Sequence, residues 1–269
     1  MVIFSQKAKE AIVLSSQLKR NLLCVIFLFL GIIIFQQNVF SEKAKAPEPI
    51  NITLDPGHGG IHPGCVKKIS KNEIVTEQKI NYKIATYLKQ ELEKYKTENG
   101  EKVNIFITRN ENCCPSIEQR IKFAKNKNSN ALISLHINAS NGKSSGCMAI
   151  ATISQCNNLY KTEEDLSKSI LKELNAIGLK NWHGNGIYRR KSSVGEKYPD
   201  NTDADWYGII RNGVLEKIPS IIVEHAYIDN KNDYDNFLSS DEKIKKLAIA
   251  DMKGIVNFFK LKKQNAQNN

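Results

Sequence analysis

Four side chains in this sequence have types and placements that together could do hydrolytic chemistry: His58, Glu77, His136 and Glu224. His58 follows the run Ile52-Thr53-Leu54-Asp55-Pro56-Gly57, where a short β-branched and apolar stretch is stopped by proline and glycine. His136 follows the apolar run Ala131–Leu135, and Glu224 follows Ser220–Val223. Glu77 stands in the first turns of the helix expected after the first strand, and Glu73 is a second carboxylate near the same helix start. Two imidazoles and one carboxylate are a ligand set of hydrolytic zinc sites that keep a fourth position open for water. Zinc brings the pKa of such a water to roughly 7. A second carboxylate is then needed to take the proton and return it to the leaving group. Singly, each residue has an ordinary structural reading: a loop histidine, a capping glutamate, a solvated strand-end glutamate. Their coincidence at the ends of successive strands carries the inference.

The elements that must position them alternate strand and helix. After the first strand, Gly59–Lys71 reads as loop, and helical spacing runs from about Asn72 through Ile74, Ile80, Ile84, Leu88 and Leu92 to Tyr95. Thr97–Lys102 is a polar break, and Val103–Thr108 alternates like a strand. Ser116–Asn128 reads as a helix with Ser116 as N-cap ahead of Gln119. Gly146–Ile153 is strand-like, Asp165–Ile177 helical, and Ser240–Lys260 a closing helix. Asn181–Trp206 is a long polar segment with little periodicity, as expected of a substrate-facing loop. This order predicts a single three-layer α/β domain with a central, mostly parallel sheet flanked by helices. In such sheets ligands gather at the carboxyl ends of the strands. His225, one residue past Glu224, falls on the opposite face of its strand and reads as structural. His62 and His183 read as loop residues.

Bulk composition bounds the rest. The chain has 269 residues and a net charge of +11, with the excess spread along its length. That balance favours a polyanion such as nucleic acid, anionic lipid or an acidic envelope polymer. No zinc-finger spacing or arginine-rich aromatic platform supports the first, so no nucleic-acid partner is expected. Leu22–Phe35 is an unbroken apolar run preceded by Lys7, Lys9, Lys19 and Arg20. This flank places the downstream domain across the membrane, with the run as a cleaved signal peptide or a signal anchor. The expected organisation is a membrane segment at 1–40, a linker at 41–49, a catalytic domain at 50–261 and a polar tail at 262–269. Beyond the apolar run lie Cys65, Cys113, Cys114, Cys147 and Cys156, an odd number without metal-ligand spacing. Export permits disulfides; small, partly buried thiols are the alternative.

Several separate motifs carry a family resemblance. They are Ile52–Gly60, Glu77-Gln78-Lys79-Ile80-Asn81, Thr108-Arg109, Arg120, Ser134–Ala139 and Pro219–Asn230. Together, in order and spacing from about Ile50 to Leu261, they resemble the zinc-dependent N-acetylmuramoyl-L-alanine amidases of the Amidase_3 type. The resemblance implies one catalytic Zn2+ held by His58, Glu77 and His136, with Glu224 as the catalytic carboxylate. Asn81, four residues after Glu77, matches the family pattern and favours Glu77 over Glu73. Cleavage of the amide between N-acetylmuramic acid and L-alanine of the stem peptide is the implied reaction, outside the cytoplasm, with peptidoglycan as the polymer bound. Asn138 and Arg211 are candidate substrate contacts. The basic residues Arg189, Arg190, Lys191 and Arg211 are candidates to meet stem-peptide carboxylates or anionic wall polymers. His225 and Tyr227 depart from residues common in the family. Two other classes stay open on the residues alone: a wall-binding protein on a decayed amidase fold, and a metallopeptidase acting elsewhere in the stem.

Overall fold

The computed structural model describes residues 49–155 and 158–264. At the centre of the sheet are three strands whose apolar runs are buried on both faces, as parallel strands require. These are β1 (Ile50–Pro56), β6 (Ala131–Asn138) and β9 (Ser220–Tyr227). β1 pairs in parallel with β5 (Val103–Ile107) on one side and β6 on the other, and β6 pairs in parallel with β9. β7 (Met148–Ile150) runs antiparallel to β9, and β8 (Ile187–Tyr188) closes the edge in parallel with β7. The six-stranded order is therefore β5-β1-β6-β9-β7-β8.

Helices cover both faces. α1 (Glu77–Leu92), α3 (Leu159–Ala176) and α5 (Asp241–Phe259) pack on one face over the larger apolar cluster, which includes Leu54, Ile84, Leu88, Ile133, Leu135 and Leu247. α2 (Ile117–Asn126) and α4 (Gly208–Glu216) cover the other, over Leu132, Ile150, Ile210 and Ile222. Strand alternation sends Leu132 to one cluster and Ile133 to the other, so each sheet face supplies its own core. The three-layer α/β reading thus holds. So does the Ser116 cap: its hydroxyl accepts from Gln119 N while the Gln119 side chain accepts from Ser116 N, a reciprocal capping box.

Four expectations need correction. Gly59–Lys71 is not all loop, and no helix starts near Asn72. Val66–Lys68 (β2) and Ile74–Thr76 (β3) form an antiparallel hairpin closed by Ile69 and Ser70 N–H groups on Glu73 O. The β-branched run Ile74-Val75-Thr76 favours a strand over the helical turn that apolar spacing assigned to it. The helix expected at Asp165 begins at Leu159, because Glu163 is fully buried and an apolar count cannot register it. α4 has no counterpart in the sequence reading: Gly208 and Gly213 are poor helix formers. A Cβ on Gly213 would lie 2.4 Å from Ser220 Oγ, so close packing on β9 requires glycine there. Lys262–Lys263 (β10) pairs antiparallel with Tyr95–Lys96 (β4). The apolar run Leu22–Phe35 lies outside the described residues. Among those described, no helix is long and apolar enough to cross a membrane.

Candidate metal centre

The site is built from the carboxyl ends of β1, β6 and β9 and the first residue of α1. β1 ends at Pro56, and the chain turns at once: His58 has a φ of 61° in the left-handed region. A non-glycine residue there must be held by its surroundings. Two buried arginines hold it. Arg120 donates to Asp55 Oδ1 at 2.7 Å, Pro56 O at 3.0 Å and His58 O at 2.7 Å. Arg109 donates to Pro56 O at 2.8 Å, Gly57 O at 3.1 Å and Gln78 O at 2.9 Å, joining the turn to α1. Asp55 balances the charge and also accepts from Thr108 Oγ1 (2.5 Å) and Ser134 Oγ (2.7 Å). The Asp55-Pro56-Gly57 stretch is thus a docking surface for side chains as well as a strand stop.

His58, Glu77 and His136 converge: their ligand atoms all lie within 4.8 Å of one another. His58 Nε2 is 3.1 Å from Glu77 Oε2, and His136 Nδ1 is 2.9 Å from Glu77 Oε1. The packing leaves no room for larger residues nearby. A Cβ on Gly57 would lie 2.2 Å from His136 Cε1, and one on Gly64 2.4 Å from Glu77 Oε2. Glu77 is almost fully buried and accepts further bonds from Cys65 N (2.8 Å), Ile137 N (3.2 Å) and Asn81 Nδ2 (3.3 Å). Burial opposes its charge, but the hydrogen bonds to His136 and His58 prevail and hold the carboxyl well below the usual range. Burial likewise would lower the His136 pKa, yet its bond to Glu77 and the nearby Glu224 charge raise it to about 9. Two imidazole nitrogens and a carboxylate fixed by donors suit a zinc-type ion.

Glu224 differs. It lies directly across the β6–β9 ladder from His136. Its Oε2 is buried and has no hydrogen-bond partner. Burial pushes its pKa up to about 7; His136 opposes this and Glu77 adds to it. Such a group sits near the midpoint of its titration at neutral pH, the condition for proton transfer.

The remaining sequence candidates divide. Glu73 lies in the hairpin turn, beside a cleft shared with Lys79, Lys83 and Tyr234, outside the cluster. His62 and His183 are exposed. His225 is fully buried; its Nε2 lies 2.7 Å from Asp251 Oδ2 and its Nδ1 3.0 Å from His136 O, tying β9 to β6 and α5. Asn138 Oδ1 accepts from Ala139 N at 2.8 Å, where the β6–β9 register shifts. Arg211 donates to Asp205 O (2.8 Å) and pairs with Glu196 (2.9 Å). Arg189 stacks on Tyr160 at 3.7 Å and pairs with Glu164 at 3.1 Å, and Lys191 faces Asp203 at 3.6 Å. Cys65, Cys113, Cys114 and Cys147 are free thiols. The roles of Gly64 and of the Cys65 N–H are not visible in the sequence, because a backbone donor leaves no residue-type signal.

Comparison with known proteins agrees with this geometry. The family model described as N-acetylmuramoyl-L-alanine amidase, Amidase_3, matches residues 52–257. The N-acetylmuramoyl-L-alanine amidase AmiC of Escherichia coli O6:H1 is 26% identical over 213 residues, covering 70% of this chain and 48% of the relative. The probable amidase AmiB of Haemophilus influenzae is 36% identical over 92 residues, covering 34% of this chain and 19% of the relative. The chain therefore matches less than half the length of each of these two relatives. Among solved structures, Cwp6 from Clostridium difficile superposes with a TM-score of 0.63 at 26% identity, covering 78% of this chain and 29% of that one. The catalytic domain of CwlV from Bacillus (Paenibacillus) polymyxa gives a TM-score of 0.60 at 21% identity, covering 79% and 99%, a likeness of fold. With the family model matched from β1 to the last helix, this chain belongs to the Amidase_3 family of N-acetylmuramoyl-L-alanine amidases.

Proposed function

We propose that this chain hydrolyses the amide between N-acetylmuramic acid and L-alanine of the peptidoglycan stem, with one zinc ion held by His58, Glu77 and His136 and with Glu224 as proton carrier. The observation that carries this reading is the convergence of three ligand atoms within 4.8 Å beside a carboxylate in register with one of them. Family membership supplies the substrate class. Bound there, zinc would supply Lewis acidity, polarising the amide carbonyl and bringing the pKa of water to roughly 7. Glu224 accepts a proton from the attacking water through its unpartnered oxygen. The water oxygen bonds the lactyl carbonyl carbon, the C–N bond breaks, and Glu224 returns the proton to the departing alanine nitrogen. The arginine pair keeps the His58 turn fixed, so little reorganisation is needed during reaction.

The test is digestion of purified peptidoglycan. New L-alanine amino termini without new reducing sugars are expected. Reducing ends, or new amines only at other stem residues, would overturn the assignment.

The substrate places the domain outside the cytoplasm, with residues 1–40 as signal peptide or anchor. Protease added to wall-stripped cells should then degrade it, and protection would refute export. The +11 charge supports an auxiliary hold on anionic wall polymers. Binding of inactive protein to sacculi should weaken between low and moderate salt, as screening shortens to roughly 10 Å at 0.1 M; salt-independent binding would refute that hold.

A further inference from the structure

One wall of the site is aromatic, and the proposed proton transfer does not use it. Along β9, Ile222 and Glu224 project from the same face. Ile222 belongs to the smaller core cluster, and the half-buried rings of Tyr188 and Tyr207 pack against that cluster. Tyr188 reaches it from β8, opposite Ile150, which is itself opposite Ile222. Tyr207 reaches it from the residue preceding α4. Both rings therefore line the sheet face that ends in Glu224. Tyr207 also feels that carboxylate: burial, Tyr188 and Glu224 raise its pKa, and Arg190 opposes them.

The wall continues outward into solvent. The Trp206 ring meets Tyr207 edge-on at 4.8 Å, and the Arg190 guanidinium lies over Trp206 at 4.3 Å. Trp206 is 42% exposed, a large apolar surface left open next to Tyr207. Its backbone is nevertheless fixed. Trp206 N donates to Arg190 O at 2.8 Å, and Arg211 bonds the Asp205 and Trp206 carbonyls. The buried Asp205 carboxylate accepts from Thr152 Oγ1 (2.5 Å), Tyr198 OH (2.7 Å) and Ile153 N (3.0 Å). Among the described residues no salt bridge engages Arg190, unlike Arg189, Lys191 and Arg211.

A flat apolar ring with a polar rim matches a pyranose, whose axial C–H groups form one apolar face above a girdle of hydroxyls and acetamido groups. Tyr and Trp present such surfaces at low entropic cost, and Arg190 adds planar donors. We infer that Tyr188, Arg190, Trp206 and Tyr207 form a subsite for the N-acetylated sugars of the glycan strand, continuous with Glu224. This inference rests on the amidase reading of the centre and names the part of the polymer that this wall holds.

The test uses full-length Glu224→Gln protein and stem-peptide-free glycan strands of alternating N-acetylated amino sugars, with binding followed by calorimetry. The glycan should bind, and adding Trp206→Ala should weaken it by about tenfold or more, the scale of losing an aromatic anchor. Trp206→Phe keeps a ring and should recover most of the affinity, which separates a lost subsite from a misfolded loop. Equal glycan affinity with and without Trp206→Ala would overturn the inference. So would a loss of affinity for free stem peptide in place of glycan. Amine release from peptidoglycan by the wild-type chain is scored separately. Release without Trp206-dependent glycan binding breaks the subsite alone. Trp206-dependent glycan binding without release breaks the amidase reading and leaves the subsite standing.

Discussion

The start of α1 and the end of β9 each bring a glutamate to the same sheet edge, and the two carboxylates end in opposite conditions. Glu77 has both oxygens occupied: Oε2 by Cys65 N and His58, Oε1 by His136, Ile137 N and Asn81. Glu224 has an oxygen that is buried and bonded to nothing. The first is driven towards the permanently ionised form and the second is held near neutrality. Residue type therefore does not assign the roles; the donors around each oxygen do. A carboxylate saturated with N–H groups is a fixed anion suited to hold a cation, whereas a desolvated one without donors is suited to exchange a proton.

The largest effects should come from exchanging these roles. Glu224→Gln should reduce amine release from peptidoglycan by roughly 10²–10⁴-fold and leave bound zinc near the wild-type content, because the three ligands remain. Glu77→Ala should lose zinc and activity together. Metal content and turnover measured on both purified variants decide the matter. A Glu224→Gln protein with full turnover, or a Glu77→Ala protein that keeps both metal and rate, breaks the contrast.

The three-layer fold and the strand-end position of Glu224 are legible in local runs, whereas Glu77 is singled out from Glu73 by the family motif that has Asn81 four residues on. Ile52–Leu54, Ala131–Leu135 and Ser220–Val223 are apolar stretches that end at a polar residue, and a parallel sheet gathers such ends at one edge. The contrast between the carboxylates is less legible. It depends on the N–H groups of Cys65 and Ile137 and on space left by Gly57 and Gly64. Arg109 and Arg120 are visible as motif residues, but their work as clamps on the His58 turn is tertiary. The hairpin at 66–76 escapes the sequence for a local reason: Ile74 fits a helical face by spacing and a strand by β-branching, and pairing of Val75 with Lys67 decides between them. In the 181–206 segment, order comes from backbone pairing such as Ser192 N on Ala204 O and from the buried carboxylate of Asp205, which a polar, aperiodic stretch conceals.

The clamp can be broken away from the ligands. Arg120→Met removes the guanidinium from Asp55, Pro56 and His58 and leaves the Asp55 carboxylate with the hydroxyls of Thr108 and Ser134 and the nearby charge of Arg109. Loss of one member of a buried pair costs about 3–5 kcal/mol, and the hydroxyls should hold the loss to the lower end. Urea unfolding measures it. A stability loss below about 1 kcal/mol would show that the His58 turn holds without the pair, as exposed pairs usually contribute no more than that.

A smaller and more diagnostic effect concerns pH in the chelated, metal-free protein. The folded pKa of Glu224 is raised from 4.5 to about 7. Below about 4.5 the folded and unfolded chains both hold this proton, and the stabilising contribution is complete. Between about 4.5 and 7 the unfolded chain has released it while the folded chain keeps it, so stability falls as pH rises; above 7 the loss levels off. Glu77 has the opposite sign. Its folded pKa is depressed, so its contribution is present above the unfolded value and is lost on acidification. Glu224→Gln abolishes only the first of these. Relative to the parent, the variant should gain stability from pH 4.5 to 7 and no further. A pH-independent difference would place Glu224 in a solvated environment and remove the contrast.

The smallest effect tests whether the fixed charge of Glu77 depends on its weakest donor. Asn81 Nδ2 reaches Glu77 Oε1 at 3.3 Å and Gly57 O at 3.4 Å, both long for N–H···O bonds. Its own Oδ1 is buried without a partner, so Asn81→Ala removes two weak bonds and also one unsatisfied acceptor. These changes oppose each other, and the net loss of stability should be no more than about 1 kcal/mol. Zinc affinity should respond more, because partners behind a ligand typically contribute about 10–100-fold; the Cys65 and Ile137 N–H groups still hold Glu77 and put this site at the lower end. Competition with a chelator reads that affinity directly. Turnover at saturating zinc should fall far less than in Glu224→Gln, since the proton carrier is untouched. If Asn81→Ala instead lost turnover on the scale of Glu224→Gln with zinc fully bound, the α1 side would take part in the chemical step itself, and the assignment of holding to one glutamate and proton transfer to the other would fail.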